Sequence, residues 1–203
     1  MPYQFESIVL ASASPRRREI LTQMGVAHSL AEHSVDEVAY DGETAVDFVQ
    51  RLALEKAQSV QASNPQLALP ILGSDTIVVC DQQILGKPVD RADALRMLTL
   101  LSGRQHQGFS AVALCLGART QVILSCSDVR LKPLSLQECE LYWASGEPIG
   151  KAGAYAIQGL GGMFVSALAG SFSGVMGLPV FETAQLLNDF GVRTGMSEGV
   201  VHE

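Results

Sequence analysis

Short apolar runs alternate with segments of helical period along this chain, and that alternation constrains the fold more than any other feature. Ile8-Val9-Leu10-Ala11 is too short and too uniformly apolar for a surface helix, and reads as a buried strand. Ser12-Ala13-Ser14-Pro15 breaks it. Ser14 suits an N-cap and Pro15 the first helical position, so a helix is expected through Ile20 and Leu21 to Gly25. Residues 26–43 read as a strand and an acidic loop. Thr44, with Asp47 three residues on, opens a helix to about Ala62. Leu69 to Gly73 predicts a strand that ends at Ser74-Asp75, with a second strand from Thr76 to Cys80. Asp90 caps a helix to Leu101, and stretches 109–116 and 121–131 form a hairpin about Gly117. Ser135-x-x-Glu138 is a capping box for a helix to Ala144. The glycine-rich stretch 150–177 predicts strands near 154–158 and 163–168. A last helix runs from Pro179 to near Phe190, and the polar tail from Thr194 reads as frayed.

The chain has 203 residues, 47% hydrophobic and 17% charged, which suits a globular α/β domain with a sizeable core and excludes a disordered chain. A net charge of −7 disfavours a partner that is a nucleic acid polymer, although a few converging cations could still hold a small phosphorylated ligand. Cys80, Cys115, Cys126 and Cys139 form no C-x-x-C pair, which argues against a zinc finger. The apolar run at the N-terminus is too short for a secretory signal, and no run of 18 apolar residues exists to span a membrane. The expectation is a cytoplasmic protein with reduced thiols.

Five segments could carry chemistry. Arg16, Arg17 and Arg18 follow Ser12 and Ser14 at a helix start, where the helix dipole disfavours cations. Phosphate binding by arginine forks and backbone N–H groups would explain them; a solvated basic face is the plainer alternative. Lys56 continues the apolar row Phe48, Leu52, Val60, so it is either a snorkelling lysine or a cation in a pocket wall. Asp75 interrupts two apolar strands and reads as a turn aspartate, or as a metal ligand or general base. Lys87, in Gly86-Lys87-Pro88, is a point charge on a turn. Gln158 ends the small-residue stretch from Lys151, either a tight core strand or a place where an amide reads a base edge. No G-x-S-x-G elbow occurs, which disfavours serine hydrolase chemistry.

Together these stretches resemble the Maf family. The resemblance is carried by Leu10-Ala11-Ser12-Ala13-Ser14-Pro15-Arg16-Arg17, Val35-Asp36-Glu37, Glu55-Lys56-Ala57, Gly73-Ser74-Asp75-Thr76, Gly86-Lys87-Pro88, Leu101-Ser102-Gly103, Lys151-Ala152-Gly153-Ala154-Tyr155, Ile157-Gln158-Gly159 and Gly177-Leu178-Pro179. It implies a mixed, twisted sheet with flanking helices and two lobes around a deep cleft. It assigns residues 1–193 to one Maf-like domain and 194–203 to a tail. It further implies a homodimer that hydrolyses nucleoside triphosphates to monophosphate and pyrophosphate with Mg²⁺ or Mn²⁺. Asp75 resembles the general base and, with Glu37, the metal-holding carboxylates; Lys56 and Lys87 would neutralise polyphosphate charge. Ser12, Arg16 and Arg17 would anchor phosphates, while Arg16, Thr76 and Gln158 would set the base. Thr76 and Gln158 match the branch acting on dTTP and UTP. Ala156, where that branch commonly has glycine, and Ser74, also found in the branch acting on 7-methyl-GTP, depart from it. A pyrophosphatase for modified nucleotides and a non-catalytic, nucleotide-binding regulator of cell division are the alternatives.

Overall fold

The computed structural model of the chain describes residues 3–197. Seven strands form one mixed sheet in the order β2-β1-β3-β5-β6-β7, with β4 added on β3. The strands are β1 (Ser7–Leu10), β2 (Ala27–Leu30), β3 (Ile71–Cys80), β4 (Gln83–Leu85), β5 (Gln105–Leu116), β6 (Arg119–Leu131) and β7 (Val165–Ala169). The helices are α1 (Pro15–Gln23), α2 (Ala45–Ser63), α3 (Arg91–Leu101), α4 (Leu136–Ala144), α5 (Phe172–Met176) and α6 (Val180–Asp189). Among the described residues, no helix is long and apolar enough to cross a membrane.

The chain packs as two compact units, and β3, β5 and β6 each contribute to both. The first unit is built from the segments up to Asp75, Ala111–Leu124 and from Gly177 onward. Here β1 lies parallel to β2 and to the start of β3. Parallel neighbours need crossovers, and α1 and α2 supply them. Val9, Ala11, Ala57, Val60, Ile71 and Cys115 form a core in this unit. Thr44 caps α2 by accepting from the Asp47 N–H, as its sequence predicts.

One glycine sets the spacing of this unit. A Cβ on Gly73 would lie 2.1 Å from the Ala53 carbonyl oxygen and 2.8 Å from the Ala57 nitrogen. The α2 backbone therefore rests directly on β3, which only glycine permits.

The second unit comprises Thr76–Ser110 and Ser125–Met176. It holds the antiparallel pairs β3–β4 and β6–β7, with α3 and α4. Leu98, Leu101, Val129, Leu131, Tyr142 and Phe164 are among its core residues. Both halves of the Ser135–Glu138 capping box form. Cys80, Cys115 and Cys139 are buried and Cys126 is exposed, all four as thiols.

The structure corrects several expectations. Ser74-Asp75 does not end a strand; β3 runs unbroken from Ile71 to Cys80 because the carboxylate finds a partner. Ser14 is the N-cap residue of α1 but makes no side-chain cap bond; its own N–H goes to Ser12 Oγ instead. No strand forms at 154–158, since Gly153 and Ala154 take left-handed angles (φ +67° and +59°) that extended pairing excludes. The strand expected near 163–168 is β7, preceded by a tight turn at Leu160–Phe164, and α5 was not foreseen. The tail expected to fray from Thr194 is held as far as Ser197: Gly195 N–H donates to Met24 O, and Ser197 Oγ accepts from Thr194 N–H. Its remainder, 198–203, lies outside the described residues.

His106 is 2% exposed, with Nε2 2.8 Å from the Tyr155 hydroxyl and Nδ1 lacking any hydrogen-bond partner. Burial pushes it down from 6.5 to about 4. The unfolded chain thus binds a proton that the folded chain refuses, so stability is full above pH 6.5 and falls as pH drops toward 4. The loss approaches ~3 kcal/mol at 1.36 kcal/mol per unit. Urea midpoints measured from pH 7 to 4 should fall in the wild type, and fall less steeply in His106→Gln.

Candidate active site

The first unit holds Ser12, Arg16, Arg17, Glu37, Lys56 and Asp75, six of the residues singled out in the sequence. Lys56 projects from α2 within the turn, Ala53 to Ala57, that touches β3 at Gly73. Its side chain is 3% exposed, and its ammonium sits 2.6 Å from Asp75 Oδ1 and 2.6 Å from Glu37 Oε1. The snorkelling alternative is thereby excluded. Asp75 is buried on β3, whereas Glu37, in the loop after β2, is exposed. One cation thus holds two carboxylates together, one fixed on a strand and one on a loop.

The helix start beside Ser12 is organised by Arg17. Arg17 Nε donates to the Gly177 carbonyl at 2.9 Å, and Nη1 donates to Ser12 Oγ at 3.2 Å. Ser74 Oγ donates to the same Gly177 carbonyl at 3.2 Å, so one oxygen ties the α1 start to the residue preceding Asp75. Gly177 has φ +128°, an angle that favours glycine. Ser12 Oγ also accepts from the Ser14 N–H at 3.2 Å. With two donors pointed at its oxygen, Ser12 keeps its hydroxyl proton to give onward, as a phosphate oxygen requires.

Burial lowers the Arg17 guanidinium from its ordinary value, with Asp75 the largest opposing influence. Arg16 is likewise lowered by burial, with Glu19 opposing. Arginine stays charged regardless. Two partly desolvated guanidiniums at a helix N-terminus suit an anion. Arg18 is exposed, so the solvated-face alternative holds for that residue alone.

Sequence reasoning missed His33. It titrates low because of burial first and Lys56 second, with Glu37 opposing and Arg17 and Asp75 also felt. Its Nδ1 is buried without a hydrogen-bond partner. Only its place four residues before Glu37 could have drawn attention to it.

In the second unit, Thr76 Oγ1 lies 2.8 Å from Ser110 Oγ. Lys87 is exposed on the turn after β4. Gln158 is exposed on a loop clamped by residues that had not been singled out. Glu147 accepts from Tyr142 OH at 2.7 Å, Leu160 N–H at 2.9 Å and Gly161 N–H at 2.9 Å. Tyr142 OH in turn accepts from Ala156 N–H at 3.0 Å. Burial acts to raise Glu147, yet the donors from Gly161, Tyr142 and Leu160 bring it below its ordinary value.

A family model described as Maf-like protein matches residues 7–190 of this chain. The chain belongs to the Maf family. It is 52% identical over 192 residues to a Bordetella pertussis protein named dTTP/UTP pyrophosphatase, covering 91% of this chain and 93% of that one. A Vibrio parahaemolyticus protein of the same name is 49% identical over 187 residues, covering 91% and 97%. A third, from Hahella chejuensis, is 48% identical over 187 residues, covering 92% and 93%. The Maf match spans both units, so it takes in the Lys56 ion pairs and the Gln158 loop alike.

Lys56→Met would leave Asp75 and Glu37 without the cation that holds them. Glu37 can swing into water, but Asp75 stays buried and unpaired. The expected cost is ~3–5 kcal/mol in chemical unfolding, with Lys56→Met/Asp75→Asn recovering most of it.

Proposed function

We propose that this protein hydrolyses nucleoside triphosphates, dTTP and UTP foremost, to the monophosphate and pyrophosphate. The observation that carries the reading is the Lys56 ammonium, held 2.6 Å from both Glu37 and Asp75 in a unit that also pairs Arg17 with Ser12 at a helix start. The relatives' printed names supply the substrates and the reaction class.

In this reading Asp75 takes a proton from water. The water oxygen bonds to phosphorus, the anhydride P–O bond breaks, and pyrophosphate leaves. A carboxylate set in a strand has little freedom to turn, which keeps the base oriented. Ser12, Arg16 and Arg17 anchor phosphate oxygens, and Lys56 and Lys87 offset charge as the bond breaks. Arg16, Thr76 and Gln158 choose the base.

Two carboxylates make a hard oxygen donor set, and Mg²⁺ commonly binds through one or two carboxylates plus substrate phosphates. Among the described residues no third His, Cys, Asp or Glu joins them, so Glu37 and Asp75 fit a cation completed by substrate and water. Such a cation, Mg²⁺ or Mn²⁺, would polarise phosphoryl oxygens. A cytoplasmic homodimer belongs to the same proposal.

Incubation with dTTP, UTP, CTP, GTP and 7-methyl-GTP, with and without Mg²⁺ or Mn²⁺, should give monophosphate and pyrophosphate from dTTP and UTP only with metal. Cleavage of 7-methyl-GTP alone would overturn the substrates, and nucleotide bound but uncut would overturn the reaction. Asp75→Asn should lower kcat by ~10²–10⁴-fold while circular dichroism shows a retained fold. Arg16→Ala should raise KM.

A further inference from the structure

Residues 31–44 contain no helix or strand, and every residue from Asp36 to Gly42 is exposed. A segment that buries so little does not order itself, so its place is set by ties to its neighbours. Those ties run along α2 in reverse order. Ser59 Oγ accepts from the Ser34 N–H at 3.1 Å and donates to the Ser34 carbonyl at 3.3 Å. Glu37 meets Lys56 at 2.6 Å. The next residue, Val38, accepts at its carbonyl from Arg51 Nη2 at 3.0 Å.

Arg51 does more than close that series. Its Nε donates to Glu43 Oε1 at 2.6 Å and its Nη2 to Glu43 Oε2 at 2.7 Å, while Nη1 donates to Glu55 Oε2 at 3.1 Å. Its guanidinium carbon lies 3.9 Å from the centre of the Tyr40 ring. Glu43 Oε2 also accepts from the Tyr40 N–H at 3.0 Å. One planar fork thus collects Val38, Tyr40 and Glu43 on the helix that carries Lys56. A lysine ammonium has no plane to stack and no second nitrogen, so it cannot serve a carboxylate, a carbonyl and a ring in this way.

We infer that Arg51 is a positioning residue: by holding the Val38 carbonyl, it keeps the adjoining Glu37 carboxylate at Lys56, ready for the divalent cation proposed to bind Glu37 and Asp75. The inference rests on that proposed reading of Glu37. Arg51 acts through Val38 and takes no part in the chemistry itself. A fork that served only as a surface ion pair with Glu43 and Glu55 would contribute a little stability and have no bearing on the metal requirement.

The test compares the wild type with Arg51→Lys, which keeps the charge and the helix propensity but loses the fork. Hydrogen exchange at the amides of residues 35–40 should quicken by roughly tenfold, while the interior of α2 exchanges as before. The Mg²⁺ concentration that gives half-maximal UTP cleavage should rise by roughly tenfold, with kcat at saturating Mg²⁺ close to that of the wild type. A loss of stability alone would lower kcat at every Mg²⁺ concentration and leave the half-maximal point in place. Glu43→Gln leaves Arg51 present and weakens its hold, so it should move both readouts in the same direction, and it carries the test if Arg51→Lys does not fold. Where the wild type needs Mg²⁺, an unchanged Mg²⁺ requirement in the variants overturns this inference alone, whether or not the loop exchanges faster. A wild type that cleaves UTP without metal, or does not cleave it, overturns the proposed function and the inference with it.

Discussion

A single ammonium group between two carboxylates holds this site together. Lys56 is too buried to persist without partners, and Asp75 would not sit inside a continuous strand without one. Each residue makes the other tolerable. The pair also reaches outward to Glu37, so a loop with little secondary structure is tied to a helix and a strand. Direct contact of 2.6 Å on both sides leaves little play.

The start of α1 is organised by a different device. Three arginines at a helix start oppose the helix dipole, and the first turn of α1 holds no acidic residue to offset them. The resolution comes from a distant segment: the Gly177 carbonyl takes the Arg17 Nε–H, and Ser74 shares the same oxygen. The residue beside the buried carboxylate and the start of α1 are thereby kept in register through one acceptor. Glu147 performs a comparable task in the second unit, where one carboxylate gathers a tyrosine and two backbone N–H groups around the loop that carries Gln158.

Much of this was legible in the sequence, for identifiable reasons. The caps at Thr44, Asp90 and Ser135 have short-range chemistry, and all three form as their residues dictate. Lys56 stood out because a lysine on an apolar row needs a reason, and Asp75 because a carboxylate between apolar runs does. Their bond to each other was not legible, since it depends on how closely α2 approaches β3. That same bond made the expected strand break at Ser74-Asp75 wrong. The 154–158 segment misled because small apolar residues read as strand, while the left-handed angles at Gly153 and Ala154 carry no hydrophobic signature. Glu147 and Tyr142 were missed because nothing local marks them; their meaning appears only when residues 142–161 fold back on themselves.

The contact at Gly73 has a consequence for how such a site can change over generations. Helices usually meet sheets through side chains, and any substitution there alters their separation. At Gly73 the meeting surfaces are mostly main-chain atoms of Ala53 and Ala57, with the Ala57 Cβ beside them. Main-chain atoms are common to every amino acid. So long as position 73 keeps its hydrogen and position 57 stays small, drift in the surrounding core can proceed without moving the lysine from its aspartate. The ion-pair geometry is insulated from the sequence around it, and two positions, 73 and 57, bear that constraint.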